Sequence, residues 1–383
     1  MRGFRFTLRE LGGAFGDLGT FLPHVISVLT VGGLASGGVL FGFGVFYLVT
    51  GLIYRLPVPV QPMKAVSAVI VTAGLSPGAV AATGLVLGLV LLVLGATGAI
   101  DRLARVIPAS VIAGLRLGLG LGFAWFGLEL MLGEPWLGFA VLALVLALSL
   151  LPGCPASLIG LAAALLVGQA AGLAPPALGG SDDLSFGLAL PGIVWPSLAD
   201  LTSAFHAAVL PQIALTITNA VIVTAALARS LFPEGSERVS ERRLCLTSGA
   251  ANLLLAPFGA LPMCHGAGGL QAHHRFGART GGAPLLIGGL LLFLALFFSS
   301  AAVDLLAMIP LPAVGAFLII AGAELALSKR LTDARADCWP AIALTAAGTL
   351  MFDAAVGLVI GCTIEFGRSL ARDLFARYRA PRR

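Results

Sequence analysis

The amino-acid sequence predicts an all-α polytopic membrane protein with about 14 transmembrane segments, arranged as two inverted repeats of seven. Three observations lead to this fold class: the composition, the placement of the basic residues, and an echo between the two halves of the chain. Of the 383 residues, 58% are hydrophobic and only 11% are charged, whereas a soluble domain carries about 25% charged residues. We therefore expect the lipid bilayer to surround most of the chain.

Glycine, proline and charged residues divide the apolar sequence into segments. A bilayer core of about 30 Å requires about 20 apolar residues per spanning helix. We predict that residues 1–174 form a first repeat with spans at 11–31, 37–54, 62–74, 78–98, 106–132, 136–151 and 156–173. We predict that residues 199–370 form a second repeat with spans at 199–229, 243–258, 263–276, 283–301, 305–327, 338–351 and 353–369. Residues 175–198 are then an extracytoplasmic connection, and 371–383 are a short basic cytoplasmic tail with no soluble regulatory domain.

The basic residues agree with this count of spans. With the N-terminus inside, all lysines and arginines except Lys64 and Arg116 fall on the proposed inner side or in the tail. This is the positive-inside pattern, and it predicts a multi-pass protein of the cell inner (plasma) membrane with both termini cytoplasmic. Topology thus accounts for the net charge of +5, and we expect no nucleic-acid partner. The five scattered cysteines lack a CxxC motif or a Cys/His cluster, so we expect neither a disulfide framework nor a metal site.

Two short segments echo each other at corresponding places in the halves. "LPVPVQPMKA" and "FGALPMCHGAGG" each open an unusually short span after a proline, and Pro108 and Pro310 follow about 45 to 50 residues later. Because seven is odd, two repeats of seven spans must be inverted relative to each other. Short, interrupted spans at matching positions of inverted repeats indicate the central site of a transporter.

The prolines predict extended, strand-like backbone before each short span, because proline lacks an N–H group and disfavours helical geometry in the residue before it. Spans 3 and 10 are therefore predicted to be half-helices that begin near the bilayer midplane, at about Met63 and Met263. Helix N-termini carry free N–H groups and the positive end of the helix dipole. Two such ends facing each other predict a site for an anion.

The candidate site residues surround these two helix ends. Lys64 lies inside a span, where a charge costs at least ~2.5–3.5 kcal/mol, so we predict that it binds the anion; a structural pair with Asp17 is the alternative. The side-chain amides of Gln61, Gln212 and Asn219 can donate to oxyanion oxygens or only bond neighbouring helices. The candidate substrate-binding residues are Gln61, Pro62, Met63, Lys64, Pro262, Met263, Cys264, His265, Gly266, Gln212 and Asn219, with Asp17 and His265 as candidate charge partners or coupling residues.

Three segments resemble signature segments of the molybdate transporter family: "GDLGTFLP", "PVPVQPMKAVSAV" and "GALPMCHGAGGLQAHHRFGARTG". That family is distantly related to the sulfate permeases and shares the uracil-permease type of fold, with seven-plus-seven inverted repeats. The resemblance covers residues from about 10 to 370. It implies a secondary transporter that imports molybdate by alternating access, with the oxyanion bound between spans 3 and 10.

The residues alone lead only to a divalent anion, and the step to molybdate rests on the resemblance. Tungstate or sulfate as substrate, a nucleobase carrier and an anion channel stay as alternatives. An intramembrane enzyme is disfavoured because neither an HExxH motif nor a Ser/His pairing stands out. We expect no cofactor, and the sequence leaves the coupling ion and a homodimer open.

Overall fold

Helices make up most of the described residues in the computed structural model, which describes residues 3–30, 32–151, 154–173, 187–327, 331 and 335–379. The described helices of the first half are α1 (Leu8–Phe15), α2 (Leu18–Thr30), α3 (Ser36–Tyr54), α4 (Lys64–Ala73), α5 (Pro77–Thr97), α6 (Ala99–Val106), α7 (Ala109–Leu132), α8 (Pro135–Ser149) and α9 (Ala156–Ala170). Those of the second half are α10 (Leu198–Ala204), α11 (Leu210–Leu215), α12 (Thr224–Leu231), α13 (Glu241–Leu255), α14 (Ala267–Arg275), α15 (Gly282–Phe297), α16 (Ala302–Ala307), α17 (Leu311–Ala326), α18 (Trp339–Met351) and α19 (Ala354–Arg379).

Several of these helices are long and apolar enough to cross a bilayer. Among the described residues this holds for α3, α5, α7 and the continuous run Gln212–Leu231. Shorter apolar helices of 10–17 residues accompany them: α2, α8, α9, α15, α17 and α18. The prediction of a helical, multi-pass membrane protein is therefore confirmed at this level, while the count of 14 spans stays a prediction.

The first predicted span of the second half is not one regular helix. Between α10 and α12 the backbone passes through two π-helical segments, Phe205–Val209 and Thr216–Val223. Pro211 has no N–H group to donate in this run, which favours a shifted hydrogen-bond pattern. Interruptions of this kind occur frequently at functional sites. Gln212 lies in α11, between the two π segments.

Three helix pairs form the main packing contacts: α3 with α15, α5 with α13, and α7 with α17. Glycines let the backbones of α5 and α13 touch. A Cβ on Gly88 would lie 3.0 Å from the Gly249 carbonyl oxygen, and a Cβ on Gly249 would lie 2.9 Å from that of Gly88. Small residues at such crossings are the usual means of close helix packing in membranes.

The predicted connection and tail lie only partly within the described residues. Residues 187–197 have no helix or strand, and the N–H group of Ala189 donates to the Leu296 carbonyl at 2.7 Å. At the other end, α19 continues from the last predicted span into the tail as far as Arg379. Alanine, leucine and arginine favour helix in that stretch, so the start of the predicted tail is helical.

A short strand pair lies at the centre of the chain's topology. β1 (Gln61–Pro62) pairs antiparallel with β2 (Met263–Cys264), with Gln61 opposite Cys264 and Pro62 opposite Met263. α4 follows β1 with 10 residues and α14 follows β2 with 9 residues. At 1.5 Å per residue these helices are only about 15 Å and about 14 Å long, and the strand pair brings their N-termini together.

Candidate functional site

The strand pair is built from a segment that cannot donate enough hydrogen bonds of its own. Pro57, Pro59 and Pro62 lack N–H groups, and residues 57–60 form no helix or strand that would pair their backbone. The buried carbonyl groups of Pro57 and Pro59 therefore need donors from other parts of the chain. Two histidines of the second half supply them: His273 Nδ1 lies 2.9 Å from the Pro57 carbonyl oxygen, and His265 Nδ1 lies 2.8 Å from that of Pro59. Because a carbonyl only accepts, both rings carry the proton on Nδ1.

This geometry changes the interpretation of His265, which the sequence suggested as a substrate ligand and coupling residue. Its second ring nitrogen, Nε2, lies 2.9 Å from the Thr247 hydroxyl, and the residue is fully buried. The rings of Phe46 and Tyr54 pack against it, with centroids at 5.1 and 5.5 Å. With both nitrogens bonded to protein groups, His265 holds the extended segment in place and has no nitrogen left to bind a ligand in this conformation.

Asn252 of α13 fixes the other strand. Its amide nitrogen donates to the Met263 carbonyl at 2.6 Å and to the Ser248 carbonyl at 2.7 Å. Its amide oxygen accepts the Met263 N–H at 2.9 Å. Met63 completes the pair by donating its N–H to the Pro262 carbonyl at 2.9 Å. Sequence reasoning missed Asn252, although a buried asparagine in an apolar span was the available signal.

Gln61 directs its donors at a carboxylate. Its Nε2 lies 2.8 Å from each carboxylate oxygen of Asp17 and also contacts the Thr20 hydroxyl, which itself donates to Asp17. All three residues are buried. Gln61 thus donates to Asp17 in this conformation, and its predicted role in binding the substrate stays a prediction.

Lys64 contacts an aromatic ring that the sequence did not suggest, and it also interacts electrostatically with Asp17. Its ammonium lies over the ring of Phe123 of α7, 4.0 Å from the ring centroid. Within the described part of the chain, no ion pair within 4 Å joins Lys64 to Asp17. A cation over an aromatic face gains about 0.5–2 kcal/mol, so Phe123 holds the ammonium without neutralising its charge. Nothing in the sequence singled out Phe123.

The N-termini of the two short helices differ. At α4, the Gln212 amide oxygen accepts the N–H groups of Ala65 at 2.9 Å and Val66 at 3.4 Å, while its amide nitrogen donates to Thr216 at 2.9 Å. Gln212 therefore caps α4 in this conformation, and a role in binding the substrate stays a prediction.

At α14, the N–H groups of Ala267, Gly268 and Gly269 have no hydrogen-bond acceptor among the described residues. These three residues are buried, where an unsatisfied donor is costly. The N-terminus of α14, the positive end of its helix dipole, is thus uncapped, whereas that of α4 is capped.

Side chains from three elements surround this uncapped helix end. A Cβ on Gly268 would stand 2.7 Å from Phe123 Cζ, and one on Gly269 would stand 2.5 Å from Gln61 Nε2 and 2.6 Å from Asp17 Cγ. Only glycine leaves room for these groups against the first turn of the helix. The structure therefore gathers Asp17, Gln61, Phe123 and, through the Phe123 ring, Lys64 around the N-terminus of α14.

The remaining candidates lie in the strand pair, at the N-cap of α14 and in the second π segment. Pro62, Met63, Pro262, Met263 and Cys264 are buried in and beside the strand pair, and Gly266 is the N-cap of α14. Asn219 lies in the second π segment, and its buried Oδ1 has no hydrogen-bond partner among the described residues. The described residues contain no group of three His, Cys, Asp or Glu side chains that could hold a metal ion.

Comparison with known proteins identifies the family. The profile of the family described as "Molybdate transporter of MFS superfamily" matches residues 9–123 and 204–325, which include every residue placed at the site above. The chain belongs to this family. Its sequence is 33% identical over 360 residues to Molybdate transporter 2 of Arabidopsis thaliana, covering 81% of this chain and 76% of the relative. It is 30% identical over 432 residues to Molybdate transporter 1 of Chlamydomonas reinhardtii, covering 82% of each chain.

Solved anion transporters share the fold of this molybdate transporter family member. The transmembrane domain of the cyanobacterial bicarbonate transporter BicA matches with a TM-score of 0.59 and 17% identity, covering 94% of this chain and 98% of that one. SLC26A9 matches with a TM-score of 0.61 and 11% identity, covering 95% of this chain and 65% of that one. The sequence relatives are transporters, so the chain is a membrane transporter of the molybdate transporter family and not an enzyme, as the sequence predicted.

Proposed function

We propose that this protein imports molybdate as a secondary transporter by alternating access, and that the oxyanion binds at the N-terminus of α14, opposite Lys64. The observation that carries this proposal is the set of three N–H groups that have no acceptor among the described residues, beside the Lys64 ammonium that lies over the Phe123 ring. Both features lie between short helices that a strand pair brings together, in a chain whose relatives are named molybdate transporters.

The chemistry of this helix end suits a tetrahedral dianion. A helix N-terminus acts as about half a positive charge, and its N–H groups point along the axis at the ligand. The Lys64 ammonium adds a full charge and three donors. Hydrogen bonds between charged and uncharged partners contribute about 1.5–3 kcal/mol each, so a few of them suffice to bind an oxyanion from dilute solution.

Movement is part of the proposal because the first turn of α14 is buried. Phe123 belongs to α7, which packs along α17, whereas Asp17, Lys64 and α14 belong to the other elements of the site. An anion reaches the helix end when α7 and its Phe123 ring move away from Lys64. Such relative motion of two bundles about a central site is the alternating-access mechanism of inverted-repeat transporters.

Asp17 is the proposed coupling residue. Its carboxylate lies against the first turn of α14, where a bound dianion would meet a like charge. Protonation of Asp17 removes this repulsion. Moving one charge against the membrane potential costs about 2.3 kcal/mol per 100 mV, so a proton carried with the dianion halves the electrical cost of import. Proton co-transport is therefore the favoured coupling.

The arrangement of helices favours two inverted repeats. Exchanging the halves converts the pairing of α3 with α15 into that of α13 with α5, and both pairs occur. Pro108 and Pro310 are the N-caps of α7 and α17, and each follows a short helix. The end of the molecule that carries Arg5, Arg9, Arg275 and Arg279 would face the cytoplasm of an inner (plasma) membrane under the positive-inside rule.

Calorimetry on the purified protein tests the substrate. Molybdate is titrated alone, then with tungstate or sulfate as competitor, and uracil serves as the control ligand. Sub-micromolar molybdate binding that tungstate competes for and sulfate does not would support the proposal. Preference for sulfate would assign the protein to sulfate transport on the same fold, and absence of any oxyanion binding would refute the site. Ionic currents far above carrier turnover in a reconstituted bilayer would indicate a channel.

A further inference from the structure

A basic cavity lies away from the proposed transport site, beside the N-terminal segment that carries Arg5 and Arg9. Its volume is about 720 Å³, and it is bounded by the N-terminal segment, the start of α9 and the C-terminal end of α14. Four arginines line it: Arg5, Arg9, Arg275 and Arg279. Among the described residues of its wall, Glu10 is the one carboxylate.

The carboxylates near this cavity are already bonded. Glu10 is buried, and its Oε1 accepts the Arg279 N–H at 3.1 Å and the Thr280 hydroxyl at 3.0 Å. Glu324 pairs with Arg275 at 2.9 Å. Glu10 and Glu324 thus bond to groups other than the guanidinium groups of Arg5 and Arg9.

Arg5 and Arg9 line the cavity on the N-terminal segment. Both are exposed, and within the described chain no carboxylate lies within 4 Å of either guanidinium. The pKa of Arg279 is lowered, mainly by burial, and the charge of nearby Arg9 lowers it further although Glu10 opposes the shift. Four arginines around one cavity repel each other, and an anionic ligand would lower that repulsion.

The same N-terminal segment presents apolar side chains to the outside. Phe6 is 64% exposed and Leu8, which lines the cavity, is 66% exposed. Apolar and basic residues that alternate on one short segment are typical of a membrane interface, where the apolar groups enter the acyl region and the basic groups stay at the headgroups. The ligand of the cavity would therefore come from the bilayer surface.

We propose that this cavity binds the phosphate headgroup of an anionic phospholipid. Arg5 and Arg9 contact the phosphate oxygens in bidentate geometry, and Arg275 and Arg279 form the inner wall. Arg275 is the last residue of α14, so the bound lipid supports the helix whose other end carries the proposed transport site. Basic pockets between helices on the cytoplasmic side are suited to anionic headgroups in general.

Native mass spectrometry of the purified protein titrated with phosphatidylglycerol measures the binding, with zwitterionic phosphatidylcholine as the comparison lipid without net charge. The variant Arg5→Gln/Arg9→Gln should bind phosphatidylglycerol about 30-fold more weakly, which corresponds to about 1 kcal/mol for each arginine at 1.4 kcal/mol per tenfold. The matched control is Arg102→Gln/Arg105→Gln, because these exposed arginines lie on α6 outside the cavity. Arg5→Lys/Arg9→Lys keeps the charge without the forked geometry of the guanidinium. Its affinity for phosphatidylglycerol should lie between those of the glutamine variant and the control variant.

Three outcomes would overturn the proposal. Equal losses in the cavity variant and the control variant would mean that phosphatidylglycerol senses only overall charge. Equal binding of phosphatidylcholine would exclude selection of an anionic lipid. Displacement of phosphatidylglycerol by millimolar inorganic phosphate, with phosphate retained in its place, would assign the cavity to a soluble anion. If the glutamine variant fails to fold, the lysine variant and the salt dependence of the wild-type affinity decide the same question.

Discussion

Replacing Asn252 by alanine is expected to be far more harmful than the same change at Asn219. The amide of Asn252 makes three hydrogen bonds, two of which satisfy the N–H and carbonyl groups of Met263 in β2. After the substitution both groups of Met263 are buried without partners, since the residue is fully buried. Each such group costs about 1–3 kcal/mol, so Asn252→Ala should lose about 2–6 kcal/mol of stability.

Asn219→Ala is the matched control within the neighbouring helical run. The Oδ1 atom of Asn219 is buried and has no hydrogen-bond partner among the described residues. Removing it leaves no new unsatisfied group, so we expect a loss of less than about 1 kcal/mol. Asn252→Asp is informative as well, because the carboxylate keeps an acceptor for the Met263 N–H and loses the donor to its carbonyl. Because an ionised carboxylate would be buried against the Met263 carbonyl oxygen, its loss should be at least as large as that of Asn252→Ala.

The assay is thermal unfolding of the purified variants in detergent, followed by calorimetric titration with molybdate. Because β2 leads directly into α14, Asn252→Ala should weaken molybdate binding together with stability. Equal destabilisation by Asn252→Ala and Asn219→Ala would show that the amide does not hold the strand. Wild-type molybdate affinity in a folded Asn252→Ala protein would show that the strand pair does not position the site.

Three further changes test the transport site itself. Lys64→Gln removes a charged donor worth about 1.5–3 kcal/mol and should weaken molybdate binding roughly 10- to 150-fold by calorimetry; unchanged affinity would remove the ammonium from the site. Gly268→Ala brings a methyl group to 2.7 Å from Phe123 Cζ and covers the N–H groups, so binding should fall. Gly289→Ala has no neighbour within 4 Å and should bind normally, and equal binding by both variants would contradict the site. In liposomes at fixed voltage, wild-type uptake should rise on external acidification, and Asp17→Asn should abolish this dependence; pH-independent wild-type uptake would end the coupling proposal.

The main features around the site could be predicted because proline has local and predictable effects. "PVPVQP" cannot form a helix, and the structure has a strand at Gln61–Pro62 followed by a short helix from Lys64. In the second half the expected helix start at about Met263 was wrong: Met263–Cys264 is the strand β2, and α14 begins only at Ala267, because the backbone stays extended through its N-cap Gly266. Apolar composition and the family resemblance were enough to predict a helical membrane transporter, which the comparisons confirm.

The direction of individual side chains could not be predicted in the same way. Gln212 and His265 were chosen because their chemistry suits an oxyanion, but the same chemistry suits the nearest unsatisfied backbone groups. Gln212 caps α4, and His265 bonds the Pro59 carbonyl, since buried backbone groups require partners. Phe123 lies about sixty residues from Lys64 in sequence, and only the packing of α7 against the site shows that its ring contacts the ammonium.

Locating tungstate in a crystal of the purified protein would test the central claim most directly, because tungsten scatters X-rays anomalously and the oxyanion mimics molybdate. The account predicts a single strong anomalous peak within hydrogen-bond reach of the Ala267, Gly268 and Gly269 N–H groups, with the Lys64 ammonium turned toward it and away from Phe123. A peak at the N-terminus of α4 with Gln212 displaced, or a peak only among the arginines beside Arg5, would contradict it.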